Sequence, residues 1–261
     1  MENNMVKKYG ISELLIGILC LFAVWEITAF VLNQSSLIPH IWDVWAKLYE
    51  KSEQLLSNLG STLFNTLIVF IISFIISFIM AVITEEYKII DKMIGLPLVA
   101  LQNIPKVAII PAIYILSKCD LIQTKILCGV LITFFPIYEN IKKGLYLDST
   151  GIRVAYGNLG KHRLLKIIKI KLPEAASNIF IGMKVGITFA LIGVLVAEMT
   201  IVDKGLGSVI MENYMLSQNE MVFAAILVAS ILGMLLYSVI SIIEKHKTFA
   251  KYTDNNYKNY L

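Results

Sequence analysis

The sequence predicts an all-α, polytopic membrane protein, and three observations carry that prediction. Apolar residues come in unbroken blocks of about 20, the length a helix needs to cross a hydrocarbon core of roughly 30 Å. Of 261 residues, 57% are hydrophobic and only 16% charged, and the mean hydropathy is +0.73; water-soluble domains of this length are more polar. The basic residues gather in alternate segments between the blocks, as the positive-inside rule demands of a chain threaded back and forth through a bilayer.

Residues 1–10 form a polar tail with Lys7 and Lys8. The block over 11–32 is apolar apart from Ser12, Glu13, Glu26 and Thr28. It is longer than the core of a signal peptide and ends in Asn33-Gln34-Ser35-Ser36 without a small-residue cleavage site, so it reads as an uncleaved first span. In the connection over 37–61, Trp42, Trp45 and Tyr49 are spaced for one face of a short helix, which suits an interfacial position. The block over 62–84 is the clearest span, followed by a charged turn. The third, over 96–116, is interrupted by Pro97, Pro105, Lys106 and Pro111. Such interruptions survive in lipid only where neighbouring helices satisfy the freed backbone.

Residues 117–120 form a tight turn, and a fourth span covers 121–141. The fifth, over 179–200, carries Gly182, Gly186 and Ala190, then Gly193 and Ala197, at the four-residue spacing that lets membrane helices approach closely. A polar connection with Gly205-Leu206-Gly207 leads to the sixth span, over 221–243. The expected organisation is one transmembrane domain over residues 1–261.

Six spans put both termini on one side. With the termini cytoplasmic, sixteen of the 23 Lys and Arg residues fall inside and five, Lys47, Lys51, Lys118, Lys125 and Lys204, fall outside or at the outer edge. The localisation expected is a multi-pass cell membrane protein. A formal charge of +4 says nothing by itself about nucleic acid, because its distribution is what matters, and no nucleic-acid partner is expected.

Eight of the inner basic residues lie between 142 and 178, the longest break between blocks in the second half of the chain. Over 161–172, Arg163, Lys166 and Lys169 share one flank of a helix, and Leu164, Leu165, Ile168 and Leu172 share another. A basic amphipathic helix could rest on anionic lipid without any partner. The stretch also holds Gly160, nine residues, then Ile170, any residue, Leu172 and Pro173, a turn-permitting Gly before a helix and a Pro at re-entry. That pattern resembles the cytoplasmic EAA coupling loop of permease subunits in ATP-binding-cassette (ABC) importers. The triplet that opens the motif falls on Val154-Ala155-Tyr156, with Val154 where Glu is usual. Glu174-Ala175-Ala176 lies past the motif and reads as the start of the fifth span.

The resemblance runs beyond the loop. Residues 104–111 are similar to the IP-x-x-AL-x-P segment of the group serving nitrate, sulfonate, taurine and thiamine-pyrimidine uptake. Phe134-Phe135-Pro136 resembles its FFP segment, and Gly144, Gly182, Ala197-Glu198 and Gly205-Leu206-Gly207 continue the match in order. Ser117-Lys118-Cys119-Asp120 departs from the Gly-bearing turn usual there. The resemblance implies a permease that moves a small solute inward, a separate ABC ATPase subunit docked on Val154, Ala155, Tyr156, Gly160, Ile170, Leu172 and Pro173, an extracytoplasmic solute-binding protein, and a homodimer within membrane lipid.

The chain itself carries no ATP-binding signature: Gly160-Lys161 is followed by His162, and Ala155 stands where a P-loop needs its first Gly. Cys20, Cys119 and Cys128 form no C-x-x-C pair, and His40, His162 and His246 are scattered, so no metal, cofactor or catalytic set is expected. An intramembrane enzyme would need such a set. A stand-alone secondary transporter or channel, the competing class, would need an inverted repeat and paired intramembrane carboxylates, and the sequence has neither. Ionisable groups within spans mark paths or partners. Of these, Lys106, with Asn103 beside it, and Glu198 are the candidates for a translocation path. Lys184 lies close to a span end, where a lysine can snorkel to the surface.

Overall fold

In the computed structural model, residues 11–32, 37–118, 120–146, 167, 171–201 and 203–245 are described. They form nine helices and no strand among the described residues: α1 Ile11–Leu32, α2 Ile41–Glu50, α3 Ser52–Glu86, α4 Lys88–Asn103, α5 Lys106–Leu116, α6 Leu121–Leu145, α7 Leu172–Ile201, α8 Leu206–Met215 and α9 Asn219–Lys245. Four of them, α3, α6, α7 and α9, are long and apolar enough to cross a membrane, while Leu19–Leu32 and Lys106–Leu116 are shorter apolar helices.

The helices outrun the apolar blocks that predict them. α3 has 35 residues, about 50 Å at 1.5 Å per residue, so it projects beyond a core of roughly 30 Å. α7 begins at Leu172 rather than 179. Pro173 therefore opens a helix, where its missing N–H costs nothing, rather than stopping the chain.

The third predicted span is two helices. Pro105 cannot donate a helical bond and disfavours helical backbone before it, and Ile104 is accordingly extended, with φ −70 and ψ 133. Pro97 and Pro111 stay inside α4 and α5. The turn after α5 forms as expected, with Lys118 at φ 56, a left-handed conformation that costs a side chain more than glycine. Asp120 then caps α6, accepting from the Gln123 amide at 2.7 Å.

α7 is the centre of the packing and lies mainly against α6 and α3. Its small residues Gly182, Gly186, Ala190, Gly193 and Ala197 are all buried. A Cβ on Gly193 would stand 2.9 Å from the Gly129 Cα of α6, so the two backbones approach as closely as small-residue stripes allow. The connection over 200–220, read as polar chain, contains α8. Leu206, Val209 and Ile210 of α8 are buried with Val44, Leu55, Met221 and Ala225 from α2, α3 and α9.

Candidate functional site

Three features bear on function: a cavity at the α4–α5 break, the foot formed by the helix ends that flank residues 147–170, and a buried polar knot at the opposite end of the bundle.

The break positions the cavity. Stopping α4 at Asn103 and restarting at Lys106 leaves a space of about 320 Å³, lined by Leu98, Gln102, Lys106, Ile109, Phe134 and Phe135 among others. The Ile104–Pro111 and Phe134-Phe135-Pro136 segments, 30 residues apart in sequence, thus meet on one wall. Lys106 is half-buried at its edge, its Nζ donating to the Gln102 carbonyl at 3.2 Å. An ammonium beside an otherwise apolar wall can orient an anionic group. Asn103 is exposed and donates to the Val99 carbonyl at 3.0 Å, and it does not line this cavity.

At the foot, the ends of α6 and α7 are pressed together. A Cβ on Gly144 would meet the Asn178 Cβ at 2.7 Å and the Ala175 Cβ at 3.1 Å, and Leu145 and Ala175 are buried. Two ion pairs tie this doublet to its neighbours. Lys142 Nζ meets Asp91 of α4 at 2.5 Å, and Lys171, just before α7, pairs with Glu85 of α3. Tyr138 adds a hydroxyl bond to Thr84 Oγ1 at 3.3 Å. Leu172 and Pro173 belong to this foot. Val154, Ala155, Tyr156, Gly160 and Ile170 lie outside the described residues.

The knot is centred on Glu198, which is fully buried. Thr62 Oγ1 donates to its Oε2 at 2.9 Å, and the Gly207 amide donates to the same oxygen at 3.1 Å. The carboxylate therefore sits at the N-terminus of α8, where free amides and the helix dipole favour an anion. Thr62 Oγ1 in turn accepts from the Leu206 amide at 2.9 Å, and Asn58 accepts from the Gly205 amide at 2.8 Å. Gly205 has φ +140, and any Cβ there would fall 2.0 Å from the Glu198 carboxylate carbon. Beside it Lys125, 1% exposed, donates to Asp203 at 2.8 Å and to the Lys204 carbonyl at 2.9 Å. That ammonium holds the Asp203 carboxyl below its ordinary range despite partial burial.

The sequence-derived path residues are thus not brought together: Lys106 edges the cavity, Asn103 stands nearby on the surface, and Glu198 is enclosed in the knot. Two buried cations are placed differently from the sequence reading. Lys125, counted as an outer-edge charge, is inside the knot. Lys184 does not snorkel: it is 5% exposed, pairs with Glu244 of α9 at 2.8 Å and lies 5.9 Å from the Tyr237 ring. Their partners, Asp203 and Glu244, sit in segments that sequence alone assigns to water. Glu26 is paired as well, with His40 Nδ1 at 2.7 Å. Among the described residues no group of three His, Cys, Asp or Glu side chains could hold a metal. Cys20 is exposed and Cys128 buried, and Cys119 lies outside the described residues.

A chain of long apolar helices, with the buried Lys125, Lys184 and Glu198 each held by polar partners and a cavity formed at a helix break, has the architecture of a membrane permease. Residues 73–248, well over half the chain, match the family model described as binding-protein-dependent transport system inner membrane component, and the chain belongs to that family. It is therefore the membrane-spanning permease component of an ABC importer. It is 26% identical over 241 residues to the formylaminopyrimidine transport permease protein ThiX of Halalkalibacterium halodurans, covering 92% of this chain and 96% of that one. It is 31% identical over 152 residues to the permease protein SsuC of Bacillus subtilis, whose name gives it, provisionally, aliphatic sulfonate transport. It is 29% identical over 149 residues to the riboflavin transport system permease protein RibX of Chloroflexus aurantiacus. These matches cover 56% and 57% of this chain and about half of each relative, 52% and 55%.

Proposed function

We propose that residues 1–261 form one transmembrane domain of six spans with both termini cytoplasmic: α1, α3, the broken pair α4–α5, α6, α7 and α9. Sixteen basic residues against five support that orientation. Two copies assemble as a homodimer in membrane lipid. Each copy offers the segment over 142–178 to an ABC ATPase subunit, through Val154, Ala155, Tyr156, Gly160, Ile170, Leu172 and Pro173. ATP is hydrolysed on that subunit, and this chain catalyses nothing. An extracytoplasmic binding protein delivers a small solute of the sulfonate, nitrate or thiamine-precursor pyrimidine type.

The observation that carries the coupling reading is the foot. Both stems of the segment are tied to α3 and α4 through Glu85 and Asp91, so a displacement of the segment reaches four helices at once. Alternating access needs such a link between a remote power source and packed elements with two arrangements. Lys106 faces the solute at the α4–α5 cavity, with Asn103 on its approach. Glu198 serves the path indirectly, by fixing the wall formed by α3, α7 and α8.

Gly160→Asp tests the coupling segment, because insertion depends on the apolar spans and not on this loop. The variant should insert normally yet lose uptake, with the ATPase subunit released or hydrolysing ATP without transport. Replacing Lys166 and Lys169 by Gln removes charge without lowering helix propensity and should be the milder change. Wild-type uptake by Gly160→Asp contradicts the coupling assignment, and a more damaging charge change favours a loop that only binds lipid.

A further inference from the structure

Helix α2 divides its circumference into three sectors. At about 100° per residue, Val44 and Leu48 share one sector with Ile41, and Val44 is 1% exposed in the cluster formed with α8 and α9. Trp42, Trp45 and Tyr49 fall together in a second sector and are 76%, 56% and 89% exposed. Asp43, Lys47 and Glu50 form the third, with Lys47 and Glu50 paired to each other at 2.9 Å. A soluble helix at a protein surface needs two faces, one for the core and one for water. A third face made only of aromatic rings with polar tips calls for a third environment.

The level of α2 along the bundle indicates which one. Trp25 of α1 donates its indole N–H to the Pro39 carbonyl at 3.0 Å. Glu26 holds His40 Nδ1 at 2.7 Å and accepts from the Ile41 amide at 3.3 Å. Glu26 lies six residues before the end of α1, so the chain has folded back and α2 starts alongside the last two turns of α1 rather than beyond them. On those turns Ile27, Phe30 and Val31 are 62%, 77% and 73% exposed, a lipid-facing surface if α1 crosses the bilayer. The aromatic sector opens two residues after His40, at the level where a carboxylate and an imidazole are still accommodated, which is the headgroup boundary and not the hydrocarbon centre.

We propose that α2 is an interfacial anchor whose Trp42, Trp45 and Tyr49 are immersed in the lipid headgroup–acyl boundary, while Val44 fastens the helix to the core beside α8. The occupant of the aromatic face is thus lipid. Trp42 follows the Glu26-bonded Ile41 directly, so this face starts beside the exposed apolar turns of α1 rather than out in water. The inference requires only that α1 and α3 cross the bilayer, whichever end faces the cytoplasm, and does not depend on the coupling segment.

The chain has three tryptophans, Trp25, Trp42 and Trp45, so fluorescence reads this face almost directly. The Trp25→Phe variant, in bilayer nanodiscs with water on both sides, reports on Trp42 and Trp45 alone. Phosphatidylcholine brominated near the headgroup should quench it, more than lipid brominated near the chain ends, and aqueous iodide should quench it weakly. If Trp25→Phe does not fold, subtracting the emission of the Trp42→Phe, Trp45→Phe double variant from that of the unmodified chain gives the same signal. Strong iodide quenching without lipid quenching overturns the proposal in favour of a water-facing surface. Protection from both quenchers overturns it in favour of burial by a second copy. Stronger quenching by the chain-end bromines overturns the interfacial depth.

Discussion

Lys142 and Asp91, at the foot of the 147–170 segment, are 25% and 33% exposed where they meet. At the opposite end of the bundle Lys125 is 1% exposed, and Glu198 is fully buried with amide and hydroxyl donors aimed at its carboxylate. Both ends hold helices together with charge, but the energetics differ. A partly exposed pair is screened and contributes about 0–1 kcal/mol, so it can break and re-form as helices shift. A buried charge is tolerated only while its partners stay in place, and removing one of them costs roughly 3–5 kcal/mol. The Lys142–Asp91 tie of the foot can therefore yield more readily than the bonds around Glu198 and Lys125. That division suits a machine in which work enters at one end and a rigid block of α3, α6, α7 and α8 carries it.

The sharpest way to break this contrast is at Glu198. Glu198→Ala strands the Thr62 hydroxyl and the Gly207 amide, each worth roughly 1–3 kcal/mol when left unpaired in the interior. The purified protein should melt at clearly lower temperature, whereas Glu198→Gln, which keeps an acceptor, should recover much of the loss. Equal stability of Glu198→Ala and the parent would mean that the knot does not hold the fold.

An intermediate effect is expected at Lys106. Lys106→Ala should lower uptake of an anionic solute about tenfold, the scale of one charge-assisted hydrogen bond, with assembly and melting temperature unchanged. Lost stability without a selective uptake defect would assign Lys106 to helix contacts instead. The smallest effect belongs to the foot. In a double-mutant cycle of Lys142→Gln and Asp91→Asn, the melting data should give a coupling of about 0.2–1 kcal/mol. A coupling of several kcal/mol would erase the distinction between the ends.

Much of this was legible in the sequence, and for definite reasons. Apolar length located α3, α6, α7 and α9, because the hydrocarbon core fixes how many residues a span needs. The stripe from Gly182 to Ala197 announced a close helix contact and forms one. The spacing of Trp42, Trp45 and Tyr49 announced a single face of a short helix, and the three rings share one, which is exposed. What stayed hidden were pairings between segments distant in the chain. Lys125 with Asp203, Lys184 with Glu244, and Glu198 with Thr62 depend on which helices pack together, and no local pattern encodes that. α8 was missed because ten residues are too few for a span, and a stretch opening on Gly205 and Gly207 looks like a connection until Glu198 supplies the anion at its N-terminus. Pro105 was seen as an interruption, but only the packing decides that it, and not Pro97 or Pro111, separates two helices.

The claim that one end moves and the other is fixed is tested most directly by hydrogen exchange on the complex assembled with its ATPase subunit, with and without ATP. The Gly205, Leu206 and Gly207 amides, bonded to Asn58, Thr62 and Glu198, should exchange slowly and equally in both states. Amides of the stems at 142–146 and 171–175 should change their protection when ATP binds. Exchange that accelerates at 205–207 on ATP binding, with the stems unaltered, would contradict the account.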